Sequence, residues 1–423
     1  MKESSKSRYD YYVRNLISFT MVNILWQIGS TLVHPETSLI YFLKQVNASN
    51  LAVSAVVPVF MFFNSVPCIL WGAVIHINKN MRKVLYLSCI WIIVPYLAIY
   101  LVLGNMKGIG FYFVPCLFLL LICSNLGLSL ECVAYQNYVS YVVPEEKRGT
   151  LWGIVFSFGY IISLLAYPLM NALNERLDTF QYYRAGFLIF FIFALIATQF
   201  FLLVKEPKEE FHNVAQKINW YEYFCSCKDI LAKDKNFRIY LLLQYLANFS
   251  ICITTFTLLY IINLFDIPNE DTIKFTIIYC IIFGIGNYIG GRIGDKKGFR
   301  YIMLAALSIQ IVFTSILLLN KNKLLVFIIY GCIVLGLAMK EVAVINIPID
   351  STRNINKSQY IGIANTVTAP SLLISLLFGR LVDIGVVSIH NVLVISIICL
   401  IASFILNSIF FKEPRNKFEI TSR

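Results

Sequence analysis

Two charged residues interrupt hydrophobic segments at matching places in this chain of 423 residues. Glu131 and Lys340 lie 209 positions apart, and their surroundings repeat without a gap at the same offset. A charge at the centre of a bilayer costs roughly 3 kcal/mol, so it is a functional candidate by default. The other matched positions are Gly127-Leu128, Val133-Ala134, Asn137 and Gly153-Ile154 in one copy, and Gly336-Leu337, Val342-Ala343, Asn346 and Gly362-Ile363 in the other. The repeat therefore predicts ion or solute binding at related positions of two halves.

Each charge also has a purely structural explanation. Lys340 can reach the membrane surface or pair with its neighbour Glu341, and Glu131 can lie among headgroups at the end of a long helix. Pro35 is expected to kink the first segment and leave a carbonyl unpaired. Further candidates for a solute or ion cavity share polar or aromatic side chains in the first and seventh segments: His34, Glu36, Trp26, Gln27, Asn23, Gln244 and Asn248. Such groups bridge helices as readily as they bind a solute.

The elements that position these residues are membrane-spanning helices. Hydrophobic residues make up 58% of the chain and charged residues 14%, which is too few charges to cover a soluble globule of this length. About twelve apolar stretches reach the roughly 20 residues that cross a bilayer, and each must be helical to satisfy its own backbone. They are predicted at 16–43, 50–76, 84–104, 110–140, 150–172, 185–204, 237–264, 273–294, 301–319, 323–347, 358–383 and 389–411.

The basic residues predict the orientation of these segments. With the N-terminus inside, cytoplasmic segments carry 26 Lys and Arg and the opposite side carries 8. This bias predicts a multi-pass protein of the cytoplasmic membrane with both termini inside. The net charge of +12 is then an orientation signal, and no nucleic-acid partner is expected.

The predicted domains follow the repeat. An N-terminal six-helix bundle covers 1–204 and a C-terminal one covers 237–423, with a cytoplasmic linker, 205–236, between them. The linker combines aromatic side chains with lysines and acids, which predicts a short helix on the inner membrane surface.

The sequence gives little support for enzymatic or metal chemistry. The chain has no phosphate-binding loop, nucleophile elbow or paired catalytic motif, so we expect neither an enzyme nor an ATP-driven pump. Nine of the eleven cysteines lie in apolar segments, and Cys225 and Cys227 lack a second ligand pair for a metal. We expect no cofactor.

Three loop sequences resemble the major facilitator superfamily of transporters. The stretch from Gly291 to Arg300 is similar to the family pattern G-x-x-x-D-[RK]-x-G-x-[RK], and Val143 to Gly149 resembles its P-x-x-x-R-G turn. Asp234 to Arg238 is similar to uncharacterised bacterial members. The resemblance implies an all-α membrane protein of twelve transmembrane helices in two pseudo-symmetric six-helix bundles. It also implies a small-molecule substrate and a monomer.

In the family, the loop aspartate holds the two halves together on the cytoplasmic side. Applied to this chain, the resemblance implies that Asp295 grips the start of the fifth segment near Arg148. An acid at that place can accept hydrogen bonds from the amides of a helix N-terminus. The alternative is a basic turn with a solvated acid. The implied gate residues are Gly291, Asp295, Lys296, Gly298, Arg300 and Arg148.

Two departures from the family pattern limit how far a function can be predicted from the resemblance. The first-half loop has Ile77 where the second has Asp295, and Cys123 stands where proton-driven members often have Arg. The sequence therefore predicts a secondary carrier of a small organic solute, coupled to protons, to another ion or to exchange. The alternatives are an efflux carrier for drugs or metabolites, and a non-transporting sensor or assembly protein that keeps the carrier fold.

Overall fold

The computed structural model describes residues 2–34, 38–46, 48–78, 80–104, 112–207, 219–265, 267, 272–320, 322–354 and 357–415. Within them the first half forms nine α-helices: α1 (Lys2–Thr31), α2 (Ser38–Gln45), α3 (Asn50–Ser65), α4 (Cys68–Ile77), α5 (Met81–Gly104), α6 (Phe113–Val142), α7 (Arg148–Ser163), α8 (Ala166–Arg176) and α9 (Thr179–Gln199).

Within the same described ranges, the second half forms eight α-helices after a linker helix. The elements are α10 (Trp220–Lys233), α11 (Lys235–Ala247), α12 (Phe249–Phe265), α13 (Thr272–Lys297), α14 (Phe299–Leu319), α15 (Leu325–Asp350), α16 (Ser358–Leu372), α17 (Ile374–Asp383) and α18 (Ile389–Ile405). No strand occurs in the described part of the chain.

Eleven stretches of the described residues are long and apolar enough to cross a bilayer. They are Ala55–Ile77, Met81–Gly104, Phe113–Val142, Glu145–Arg176, Phe180–Leu203, Lys235–Phe265, Lys274–Lys297, Phe299–Leu319, Leu325–Asp350, Ser358–Asp383 and Ile389–Phe410. These match the second to twelfth predicted segments within a few residues. The first predicted segment lies mainly in α1, where Asn15, Asn23 and Gln27 lower the hydrophobicity.

The predicted bounds of the first segment were wrong. The helix begins at Lys2 rather than near residue 16, and it ends at Thr31 before α2 starts at Ser38. Pro35 falls between them, outside the described residues. A proline lacks the amide for a helical hydrogen bond and disfavours helix in the preceding residue, which explains an end before it.

Four spanning stretches consist of two helices each: α3 with α4, α7 with α8, α11 with α12, and α16 with α17. Backbone groups freed at such breaks must find partners nearby, because lipid offers none. After the break at Pro67, the amide of Ile69 donates to Thr366 Oγ1 at 3.0 Å. The interrupted second span is thereby bonded to α16.

The helices pack into two compact units. The first contains Met1–Pro144, Phe158–Ile218 and Ile361–Thr366, and in its core aromatic rings pack edge-on or tilted around Phe42. The second contains Glu145–Ser157, Asn219–Tyr360 and Val367–Arg423, with a smaller cluster around Phe256. The predicted division of the sequence at residues 204 and 236 stays a prediction.

Each unit includes a short segment from the other half of the sequence, and a repeated glycine sits in each segment. A Cβ atom on Gly153 would lie 2.7 Å from the carbonyl oxygen of Asn287 on α13. A Cβ atom on Gly362 would lie 2.8 Å from the carbonyl oxygen of Cys68 on α4. Both distances are far below a normal contact, so only glycine allows these helices to approach so closely.

The linker helix α10 is the short helix predicted for 205–236. Tyr223 and Cys227, one turn apart, are buried, whereas Trp220 and Tyr221 are exposed. Gln359 donates to Ser226 on α10 at 2.6 Å, which ties α10 to α16. Its location at a membrane surface stays a prediction.

Candidate functional site

Glu131 lies in the second half of α6 with a partly buried side chain. Within the described residues its carboxylate has no hydrogen bond and no ion pair. One turn earlier, Gly127 packs against Trp91 and Ile92 of α5, so this part of the repeated face forms a helix contact. Glu131 is thus an uncompensated acid next to a tight helix pair.

Lys340 occupies the matching position on α15, and its environment is different. Its side chain is 1% exposed, and its Nζ lies 3.3 Å from Oε1 of Glu341, whose side chain is 38% exposed. This is the pairing that the sequence left open as an alternative. Gly336, one turn earlier, packs against Ala306 and Gln310 of α14, as Gly127 does on α5. The repeat conserves the helix contact, while the two charges have different partners.

The α1 candidates face neighbouring helices. Trp26 packs edge-on against Phe190 of α9, with ring centroids 5.5 Å apart. Asn23 lies against Gly159 of α7 so closely that a Cβ atom there would overlap its Oδ1. That oxygen is buried and accepts no hydrogen bond in the described residues. Gln27 also lies near Gly159. The α1–α7 contact therefore contains a buried amide oxygen that accepts no hydrogen bond from the described residues.

Gln244 and Asn248 form a polar chain in the second unit. Gln244 Nε2 donates to Asn248 Oδ1 at 2.9 Å, and Asn248 Nδ2 donates to Ser371 Oγ at 2.7 Å. Asn248 stands at the break between α11 and α12, and Ser371 is on α16. Gln244 Oε1 is buried without a hydrogen-bond donor among the described residues. These residues bridge helices and still present one unused acceptor.

The two remaining candidates of the first segment, His34 and Glu36, come after the end of α1. His34 is exposed and follows the end of α1, and its carbonyl accepts from the amide of Leu39. Glu36 lies outside the described residues.

Asp295, near the end of α13, caps the start of α7. The amides of Gly149 and Thr150 donate to Asp295 Oδ1 and Oδ2 at 2.8 and 2.6 Å. The first amides of a helix have no partner within it and carry partial positive charge, so a carboxylate there is stabilising. We call these two hydrogen bonds the latch contact. The family resemblance implied that Asp295 grips this part of α7, and the role of the contact as a gate stays a prediction.

Glycines make this contact possible. A Cβ atom on Gly291 would overlap the carbonyl oxygen of Gly149, so α13 and α7 touch through their backbones. Gly298 has φ +92°, a left-handed conformation that favours glycine, and it turns the chain from α13 into α14. Lys296 is exposed on this turn. Arg300 lies just beyond it, and its side chain donates to the carbonyls of Asn407 and Ser408.

Three further charges surround the latch contact. Arg148 is 4% exposed, and its Nη1 lies 3.7 Å from Oδ1 of Asp350, at the end of α15. Arg415, which follows the last span, donates from Nε to Asp350 Oδ2 at 2.8 Å. Burial opposes the charge on Arg415, but the carboxylates of Asp350 and Asp295 outweigh burial and raise the pKa of its guanidinium. We call Arg148, Asp295, Asp350 and Arg415 the charged cluster.

Sequence reasoning missed Asp350 and Arg415. A second internal repeat gave a signal next to Arg415. In it, Val204-Lys205-Glu206-Pro207 corresponds to Phe411-Lys412-Glu413-Pro414. Both copies make ion or hydrogen-bond contacts: Glu206 pairs with Arg82 at 3.3 Å, and Glu413 accepts from the amide of Arg300 at 2.9 Å. An acid retained after the last span of each half therefore marked a contact site.

Among the described residues, no group of three or more His, Cys, Asp or Glu side chains is arranged to hold a metal ion. The chemistry available at these sites is that of hydrogen bonding, ion pairing and proton binding.

Comparison with solved structures shows the fold. The chain superimposes on the E. coli fucose:proton symporter FucP with a TM-score of 0.73 and 13% identity, covering 94% of this chain and 98% of that one. It superimposes on the proton:xylose symporter XylE with a TM-score of 0.69 and 14% identity, covering 96% of this chain and 97% of that one. With a bacterial homologue of the iron transporter ferroportin, the TM-score is 0.70 and the identity 13%, and the match covers 97% of this chain and 99% of that one. No curated protein matches the sequence.

These comparisons confirm the predicted fold class, an all-α multi-pass membrane protein with the architecture of this carrier fold. They also confirm that the chain is a transporter rather than an enzyme. The Major Facilitator Superfamily model matches residues 15–375, most of the chain. The protein is therefore a member of the Major Facilitator Superfamily.

Proposed function

We propose that the protein moves a small organic solute across the cytoplasmic membrane by alternating access, coupled to protons or another ion. Both termini and the linker are cytoplasmic in this proposal. The observation that carries it is the latch contact, in which Asp295 of the second half holds Gly149 and Thr150 of the first. Two hydrogen bonds to a helix terminus hold a closed state and can still break in each cycle.

The proposed binding groups are the polar side chains within the spans. Glu131 is the candidate for the coupling ion, because a half-buried acid without a partner in the described residues can take up a proton. The amide acceptors of Asn23 and Gln244 suit hydroxyl donors of a solute. Lys340, Glu341, Trp26, Gln27 and Asn248 complete the set that we propose, with His34 and Glu36 toward the outside.

The test uses purified protein in liposomes and a panel of labelled metabolites. Because FucP and XylE are described as fucose and xylose symporters, the panel includes pentoses and deoxyhexoses beside amino acids and organic acids. We expect at least one solute to accumulate when an ion gradient is imposed. If folded protein accumulates and exchanges none of them under any gradient, the non-transporting alternative is favoured instead.

The variant Asp295→Asn tests the latch contact independently of the proposed binding groups. A carboxylate at a helix N-terminus contributes up to about 2 kcal/mol, so its loss shifts a balanced equilibrium roughly thirtyfold toward the released state. Spin labels on Lys228 and Glu146, both exposed, should report the change in distance distribution. Asp383→Asn, an exposed acid on α17, is the matched control. If the label distances and the transport rate are both unchanged in Asp295→Asn, the latch contact has no role in the transport cycle.

A further inference from the structure

Asp350 is shared by two arginines that bind it unequally. Arg415 approaches to 2.8 Å with good hydrogen-bond geometry, whereas Arg148 remains 3.7 Å away. The Asp350 side chain is 1% exposed, and its Oδ1, the atom nearer Arg148, accepts no hydrogen bond among the described residues. A buried carboxylate attracts each cation less strongly when another cation already occupies it, and the two guanidinium groups repel each other.

The two arginines lie in different parts of the second unit, one at the start of α7 and the other after the last span. Arg148 begins α7, and the next two residues donate the amides of the latch contact, so in the proposed cycle Arg148 moves away when Asp295 releases α7. Arg415 is anchored elsewhere: its Nη1 donates to the carbonyls of Gly294 and Asp295, and its guanidinium stacks on Phe299 at 4.9 Å. In the proposed cycle, these contacts would keep Arg415 beside Asp350 after α7 has left.

We propose that Arg415 is a positioning residue that makes the latch releasable. It holds Asp350 away from a close pair with Arg148, and it keeps the buried carboxylate paired once Arg148 departs. Without it, Asp350 would bind Arg148 tightly in the closed state and would be left without a counter-ion in the open one. Both effects favour the closed state. The inference rests on the proposed function, in which α7 and Asp295 separate in each cycle.

One contact of Arg415 acts in the opposite direction. Its guanidinium lies 3.9 Å from Oε1 of Glu145 and 3.4 Å from the Glu145 carbonyl, on the segment that leads into α7. The Glu145 side chain is 54% exposed, and an exposed pair at this distance contributes little. The contact with buried Asp350 is therefore the larger effect.

The test is hydrogen exchange of the Gly149 and Thr150 amides, with the full-length protein in lipid nanodiscs. These amides donate to Asp295, so their exchange rate reports release of α7 directly. Arg415→Gln should slow their exchange about tenfold, and it should slow transport as well. Asp295→Asn and Arg148→Gln should both accelerate exchange. Lys412→Gln, which removes an exposed positive charge three residues away, should leave it unchanged.

The double variant Arg148→Gln/Arg415→Gln separates this role from a merely structural one. If Arg415 acts by controlling the pull of Asp350 on Arg148, exchange in the double variant should be far closer to that of Arg148→Gln than to that of Arg415→Gln. Arg415→Lys, which keeps a charge without the planar fork, should slow exchange less than Arg415→Gln. It also serves as the test if Arg415→Gln does not fold.

Faster or unchanged exchange in Arg415→Gln, or faster exchange in Arg415→Lys where only that variant folds, would overturn the inference. Faster exchange would mean that Arg415 belongs to the grip itself. Failure of Asp295→Asn to change exchange would instead contradict the latch of the proposed function. The two failures are therefore distinguishable.

Discussion

An acid within a membrane span must be neutralised, paired or used, and Glu131 has no ion pair among the described residues. We expect Glu131→Gln to lower ion-driven uptake at least tenfold and to abolish its pH dependence, because an amide cannot carry a proton. Uptake in liposomes between pH 5.5 and 8.5 measures both. Glu146→Gln, in an exposed turn, should behave like wild type. Wild-type uptake in Glu131→Gln would place this acid outside the transport mechanism.

The pair formed by Lys340 and Glu341 predicts an unequal response to its two single substitutions. Glu341→Gln leaves a fully buried ammonium without its acid and should cost on the order of 3 kcal/mol of unfolding free energy. Lys340→Met leaves an acid that is 38% exposed, so it should cost clearly less. Thermal unfolding in detergent compares them, and the double variant should recover most of the loss. Equal costs for both single variants would contradict this account.

Among the helices, the close approach of α7 and α13 depends on Gly153. Gly153→Ala places a methyl group 2.7 Å from the Asn287 carbonyl oxygen, and such overpacking costs about 1–3 kcal/mol. We expect faster hydrogen exchange at the start of α7, measured by mass spectrometry. Gly379→Ala on α17 is the control, since no atom lies within 4 Å of a Cβ there. Exchange equal to that control would mean that α7 and α13 adjust without strain.

The helices were more predictable from sequence than the contacts between them. Runs of apolar residues located eleven spans, because each must bury itself in lipid, and the glycine offset of 209 marked helix contacts that recur in both halves. The break at Asn248 has no proline to announce it, and the side chain of Asn248 donates to Ser371 on another span. The pair of Asp350 with Arg415 joins residues 65 positions apart, so only the packing of α13, α14 and α15 could reveal it.

For the molecule as a whole, the predicted orientation has a direct test. Cysteines introduced at the exposed positions Lys228 and Lys412 should react with a membrane-impermeant reagent from the cytoplasmic side, and cysteines at Lys44 and Glu175 from the outside. The background must lack Cys225, which is itself exposed. The physical basis is the bias of 26 against 8 basic residues. Labelling from the opposite sides would reverse the orientation and the assignment of every loop.

The exchange of short segments between the two units also sets the order in which the protein can be assembled. The first unit includes Ile361–Thr366, so α4 meets the Thr366 hydroxyl that accepts its Ile69 amide only after most of the chain has been synthesised. Until then, the Ile69 amide lacks this acceptor. The contact between the eleventh span and the second is therefore one that only a late step of synthesis can complete.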